Sequence, residues 1–183
     1  MLFDSLGIQG AVLIRPEPKA DQRGSLCRLF SKREFCDRRL APSFTQESVV
    51  YSRRAGTLRG FHYQLAPAEE DKLITCVRGE AFDVVLDIRR DSPTYGKHVS
   101  IRLKEGEWLG VFVPKGCAHA IQTLVDKTEV LYRISRDYAP ELARGFRWDS
   151  PIIGVQWPIA DPVLSERDRE LPVFAADKRP ENA

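Results

Sequence analysis

The sequence predicts an all-β domain, a sandwich or barrel closed around one core, and two observations carry that reading. Runs of β-branched and aromatic residues recur with a period of two, and turns bearing Gly or Pro separate them at short intervals. Strands this dense, with little helix between them, do not build a parallel βαβ sheet. Residues 72–78 (KLITCVR) form a strand, which Arg78-Gly79-Glu80 turns into the next. Residues 81–88 alternate Phe82, Val84, Leu86 and Ile88 on one face with Asp83 and Asp87 on the other, as a half-buried strand requires. Residues 99–103 alternate likewise and end in the turn 104–107. Residues 108–113 are stopped by Pro114-Lys115-Gly116, and 129–134 follow in the same style. Only two segments read as helix. Ser31 with Glu34 three residues on has the signature of a capping box, and Ser165 with Glu166 and Asp168 behind it has that of a capped helical turn. Residues 177–183 read as a polar, poorly ordered tail. With no repeat, linker or low-complexity block, residues 1–183 are expected to be a single domain.

Composition narrows the class of partner. A chain of 183 residues is long enough for one domain with a real core, and 43% hydrophobic with 30% charged residues argues against disorder. The net charge is +2, with Lys and Arg interleaved among Asp and Glu, so no nucleic-acid partner is expected. No basic segment followed by an apolar run opens the sequence, and no apolar stretch approaches the roughly 20 residues that span a bilayer. The expectation is a cytoplasmic protein without a membrane partner. Cys27, Cys36, Cys76 and Cys117 have no CxxC pairing and no zinc-site spacing, so they read as free, buried thiols.

Three histidines can carry chemistry, and each has a plain structural alternative. His98 opens the strand after Tyr95-Gly96-Lys97 and reads as surface or structural. His62 has Arg59 before it, Tyr63 and Gln64 after it, and Lys72 further on. An Arg, a His and a Lys on adjacent strands make a cationic pocket suited to an anion, bound or developing during a reaction. His119 ends the turn Pro114-Lys115-Gly116-Cys117-Ala118-His119. In metal-binding cupins that turn carries one ligand, and two further histidines and a glutamate stand on a strand pair. Here Tyr63 and Gln64 follow His62 with no second His, and two imidazoles without an obvious carboxylate make a poor divalent site, so no metal is expected.

The run Gly56-Thr57-Leu58-Arg59-Gly60-Phe61-His62-Tyr63-Gln64 closely resembles the signature of the dTDP-4-dehydrorhamnose 3,5-epimerase family. Arg78-Gly79-Glu80-Ala81-Phe82-Asp83-Val84, Ser92-Pro93-Thr94-Tyr95-Gly96-Lys97, Trp148-Asp149-Ser150-Pro151 and Leu164-Ser165-Glu166-Arg167-Asp168 continue the resemblance in order. It extends from about Asp21 to Asp168. The resemblance implies a cupin-type jelly roll, a double-stranded β-helix, working as a homodimer without metal or other cofactor. It implies inversion of C3, C5 or both in a nucleoside-diphospho-4-keto-6-deoxyhexose. By it, His62 is the base, Asp168 the carboxylate that orients it, Tyr132 the acid on the opposite face, and Lys72 the cation beside the C4 oxygen. His119 lines the pocket, and Arg59, with Arg23 from a partner subunit, meets the pyrophosphate. Gln46, Tyr138 and Arg167 complete the substrate-binding set. Taken alone, Tyr132 reads as a strand aromatic, Asp168 as an acidic residue in a first helical turn, and Lys72 as a solvated lysine.

Departures from the family pattern lie where nucleotide and sugar would sit. They are Ser25-Leu26-Cys27-Arg28-Leu29 in place of aromatics and an acid, Ser48 for an amide, Asp137 for a tyrosine, and Ala120-Ile121 for Gly-Phe. These leave open dTDP, CDP or GDP as the nucleotide and one or two inverted carbons. A non-catalytic nucleotide-sugar-binding cupin is the competing reading from another class.

Overall fold

A computed structural model of the chain describes residues 1–40 and 43–175. The tail expected over 177–183 lies outside the described residues. Among the described residues thirteen strands and two short helices follow one another: β1 (Leu2–Ser5), β2 (Val12–Arg15), β3 (Lys19–Asp21), β4 (Gly24–Leu26), α1 (Lys32–Cys36), β5 (Gln46–Ser52), β6 (Leu58–Gln64), β7 (Lys72–Arg78), β8 (Glu80–Asp87), β9 (His98–Lys104), β10 (Gly110–Val113), β11 (Cys117–Thr123), β12 (Thr128–Ile134), β13 (Ala143–Gly145) and α2 (Glu166–Glu170). One sheet runs β1-β2-β10-β7-β12-β5 and the other β13-β6-β11-β8-β9, all their strand pairs antiparallel. This is the expected all-β jelly roll. The β3–β4 hairpin stands apart as a two-stranded sheet whose residues are all exposed.

The two sheets pack on each other through Ile74, Val111 and Val130 from one and Val85, Leu103 and Ile121 from the other. Their outer faces are covered as well. Phe146, Ile153, Trp157 and Phe174 from the C-terminal segment lie over Phe61, Val84 and Ala118. Phe35 of α1, with Phe30 and Phe44, lies over Ile14, Leu73 and Phe112. Strands buried on both faces lose the alternation that marks half-buried ones. That is why β7 reads as a near-continuous apolar run, with Lys72 through Cys76 all buried.

The same coverage corrects the reading of β8. Phe82, Val84 and Leu86 do share a face, but Asp83 and Asp87 opposite them do not meet water, and both are 0% exposed. A buried carboxylate persists only with partners. Asp87 takes Arg89 on both oxygens (2.9 and 2.8 Å) and the hydroxyls of Ser92 and Thr94 (2.6 Å each). Burial pushes its carboxyl up, yet those hydrogen bonds outweigh it and hold the pKa at about 2.

Other expectations meet the structure unevenly. Ser31 occupies the N-cap of α1 but its side chain makes no capping bond. Glu34 is drawn instead to the Met1 ammonium at 3.1 Å, a full charge against a neutral N–H. Ser165 does cap α2, accepting from the Asp168 amide at 3.1 Å. His98 opens β9, half-buried, with its pKa lowered by burial. All four cysteines are free; Cys76 and Cys117 are buried, whereas Cys36 is exposed and Cys27 intermediate. Burial pushes the Cys76 and Cys117 thiols up to about 11 and about 12, which makes them poor nucleophiles.

Candidate active site

One cleft of about 360 Å³ opens between the sheets, and His62, Lys72, Tyr132, Asp168, Arg59, His119, Gln46, Tyr138 and Arg167 all line it. These are nine of the ten residues expected there. Arg59 and His62 are three apart, and a regular strand would send them to opposite faces. The pairing of β6 with β11 explains how they share one. His62 faces His119 and Arg59 faces Ile121, so Gly60 and Phe61 stand opposite Ala120 alone. This β-bulge inserts one residue into β6 and resets its alternation. Gly60 is required at the bulge: its φ is +126°, and a Cβ there would lie 2.6 Å from the Ala120 Cα.

The carboxylate for His62 comes from far along the chain. Val163 is stitched beside the start of β6 by Leu58 N–H to Val163 O (3.0 Å) and Val163 N–H to Gly56 O (2.8 Å). From there α2 begins at its Ser165 cap and turns Asp168 inward, where it is 4% exposed. Asp168 Oδ1 lies 2.5 Å from His62 Nε2. An ionised carboxylate can only accept, so Nε2 carries the proton, and whenever the ring is neutral its lone pair lies on Nδ1. Burial raises the Asp168 carboxyl, but the bond and charge of His62, helped by Ser165 and Arg167, leave it below its ordinary value. It therefore stays ionised opposite the imidazole.

Across the cleft stand β7 and β12, where Tyr132 pairs with Ile74 and Ile134 with Lys72, which puts Lys72 and Tyr132 on one face. The Lys72 side chain is 8% exposed; its ammonium meets Glu70 Oε1 at 3.1 Å and donates to the His62 carbonyl at 3.3 Å. The Tyr132 hydroxyl has no hydrogen-bond partner among the described residues. Burial and the nearby Asp83 charge push that phenol far above its ordinary value, against a smaller opposing effect of Arg59. It is held in the acid form. Arg59 makes no ion pair among the described residues, and its buried Nε lacks a hydrogen bond there, so its charge is available to an anion.

Asp168 stands beside His62 as the resemblance implies, and His119 has a carboxylate of its own that the residue pattern did not reveal. His119 Nε2 lies 2.7 Å from Asp83 Oδ2, and its ring meets that of Tyr132 edge-on at 5.8 Å. Among the described residues no three His, Cys, Asp or Glu side chains gather as a metal's donor set. At the mouth, the Tyr138 hydroxyl accepts from Arg167 at 3.3 Å, and Gln46 Nε2 approaches Asp137 Oδ1 at 3.4 Å. Arg23 is the residue this chain does not bring to its own cleft. It sits on the β3–β4 hairpin, 90% exposed and paired with Asp21. Sequence reasoning missed Glu70, Gln64 as its partner, and Asp83. The available signal for Glu70 was its place two residues before Lys72, which puts the two on one side of an extended chain.

A cleft with an oriented imidazole, a protonated phenol and an unspent guanidinium is equipped to move protons on an anionic substrate, and the molecule falls among the jelly-roll isomerases. Residues 5–176 match the family model described as dTDP-4-dehydrorhamnose 3,5-epimerase. An enzyme of that description from Sinorhizobium fredii is 40% identical, covering 94% of this chain and 89% of its own length. The crystal structure of dTDP-4-dehydrorhamnose 3,5-epimerase from Bacillus anthracis with TDP and pyrophosphate bound superposes with a TM-score of 0.92. It is 34% identical, covering 94% of this chain and 99% of that one. A 3'-monoepimerase from Streptomyces bikiniensis, solved with dTDP-quinovose, reaches 0.86 at 32% identity, covering 92% of this chain and 85% of that one. The chain belongs to the dTDP-4-dehydrorhamnose 3,5-epimerase family.

Proposed function

We propose that this epimerase inverts C3, C5 or both in a nucleoside-diphospho-4-keto-6-deoxyhexose, with the dTDP-linked sugar as the first substrate to test. The observation that carries the reading is the His62–Asp168 pair on one wall of the cleft facing Lys72 and the protonated Tyr132 on the other. A 4-keto group acidifies the hydrogens on C3 and C5. His62 takes one through Nδ1, and Asp168 stabilises the imidazolium that forms. Negative charge gathers on the C4 oxygen of the enolate, where Lys72 balances it. Tyr132 returns a proton to the opposite face, which inverts the carbon. Arg59 holds the pyrophosphate by a bidentate fork, with Arg167 and Tyr138 at the mouth.

The enzyme is read as a cytoplasmic homodimer. Among the described residues no helix is long and apolar enough to cross a membrane. The exposed hairpin supports a role for Arg23 in a neighbouring subunit's cleft, since Leu26 beside it is 71% exposed. If so, Arg23→Ala raises KM without disturbing the fold, and sedimentation gives the mass of two chains.

Incubation with dTDP-4-keto-6-deoxyglucose in deuterium oxide, followed by mass and NMR analysis, is the direct test. Label at C3 and C5 is the double inversion. Label at one carbon gives a single-site epimerase, the behaviour named for the Streptomyces bikiniensis relative. Binding without exchange, on the CDP and GDP analogues as well, leaves a non-catalytic sugar-nucleotide protein and sinks the proposal.

A further inference from the structure

We propose that Glu70 is a positioning residue for the reaction, acting through Lys72; the inference rests on the proton-transfer reading above. Lys72 is nearly sealed, and an ammonium removed from water needs a counter-charge and a fixed direction. Glu70, with a side chain only 10% exposed, supplies both. Its Oε1 meets the Lys72 ammonium at 3.1 Å, and its Oε2 accepts from Gln64 Nε2 at 2.8 Å. Gln64 cannot turn over to suit another partner. Its Oε1 takes the Ala139 amide at 2.7 Å, and its Nε2 also reaches the Ala68 carbonyl at 3.0 Å. Two donors therefore converge on residue 70, and only a side chain with two acceptor atoms satisfies both. A glutamine there would set its own NH₂ against either Lys72 or Gln64. An aspartate keeps the charge and both acceptors but is one methylene short of spanning the two donors.

The consequence falls on the chemical step. Lys72 acts where charge accumulates only as the enolate forms, so misplacing its ammonium weakens transition-state binding more than substrate binding. Glu70 lines the cleft beside Lys72, and both its oxygens are taken, one by Lys72 and one by Gln64, so its task is to keep the ammonium aimed.

The test measures kcat and KM for deuterium incorporation into dTDP-4-keto-6-deoxyglucose by wild type, Glu70→Gln, Glu70→Asp, Lys72→Ala and the Glu70→Gln/Lys72→Ala double variant. Glu70→Gln is expected to lose roughly tenfold or more in kcat with KM changed by less than about threefold. Glu70→Asp recovers part of that loss, and the double variant falls no further than Lys72→Ala alone. A wild-type kcat in Glu70→Gln, or losses that multiply in the double variant, overturns the inference. If Lys72→Ala keeps the wild-type rate, the proton-transfer reading itself fails, and Glu70 falls with it. Should Glu70→Gln not fold, Glu70→Asp with and without Lys72 carries the same comparison.

Discussion

Two imidazole–carboxylate pairs stand side by side in this cleft, and they are built for different work. His62 and His119 are register partners on β6 and β11. Each meets a carboxylate through Nε2, at 2.5 Å to Asp168 and 2.7 Å to Asp83. The His62 side chain is 36% exposed and opens onto the cleft, while His119 is 4% exposed and Asp83 wholly buried. Asp168 rides on a short capped helix at the rim; Asp83 is fixed in a central strand, with its second oxygen unpartnered among the described residues. The lesson is that the pair by itself does not define a base. Access for a carbon acid defines it, and the sealed copy shapes the wall on which Tyr132 leans.

That division can be broken by experiment. The largest effect is expected from His62→Asn, which removes the proposed base and should lower deuterium exchange by about 10³-fold or more, near background. Retention of even a tenth of wild-type exchange would show that another group takes the proton. Asp168→Asn comes next. It should lower kcat on the order of 10²-fold, through loss of the oriented tautomer and of imidazolium stabilisation, with little change in urea unfolding. Asp83→Asn should invert this pattern. A weakened buried partner for His119 costs about 1–3 kcal/mol in unfolding free energy, while kcat falls less than about tenfold. Equal catalytic losses in the two Asp variants would erase the distinction between the pairs. The smallest effect is on acid stability. The folded pKa of Asp168 lies below its ordinary value of 3.8, so its contribution is present above that pH and is lost as the pH falls through the folded value. Melting temperatures from pH 5 down to pH 2 should therefore fall less steeply in Asp168→Asn than in wild type.

The fold was largely legible because turn residues and β-rich runs are local signals. The strand 72–78 runs between the residues expected, and 81–88, 99–103 and 129–134 lie within one residue of theirs. The bounds of β6 and β11 were not legible, though His62 and Arg59 were read as lying on a strand. One carries Arg59, His62 and Gln64 inward, and the other is buried throughout, so neither alternates. The inward face of β8 was misjudged for a related reason: a sequence shows an aspartate's charge but not the Arg89 or His119 that makes burial tolerable. The expected site residues came from resemblance to a family, and the cleft gathers nine of them. Arg23 is the exception, because it sits on an exposed hairpin apart from both sheets. Glu70 escaped notice because its meaning lies in two donors, Lys72 and Gln64, that only the folded chain brings to it.

The bulge at Gly60 makes the active site a matter of reading frame. Beyond it, the side chains of β6 are counted from a new origin, so Arg59 obeys one frame and His62 the next. Deleting a single residue from that step would leave every reactive group in the sequence yet turn either the guanidinium or the imidazole out of the cleft. Activity here is thus encoded by spacing as much as by identity. A relative that keeps both residues but not the glycine step between them should be suspected of having given up the reaction.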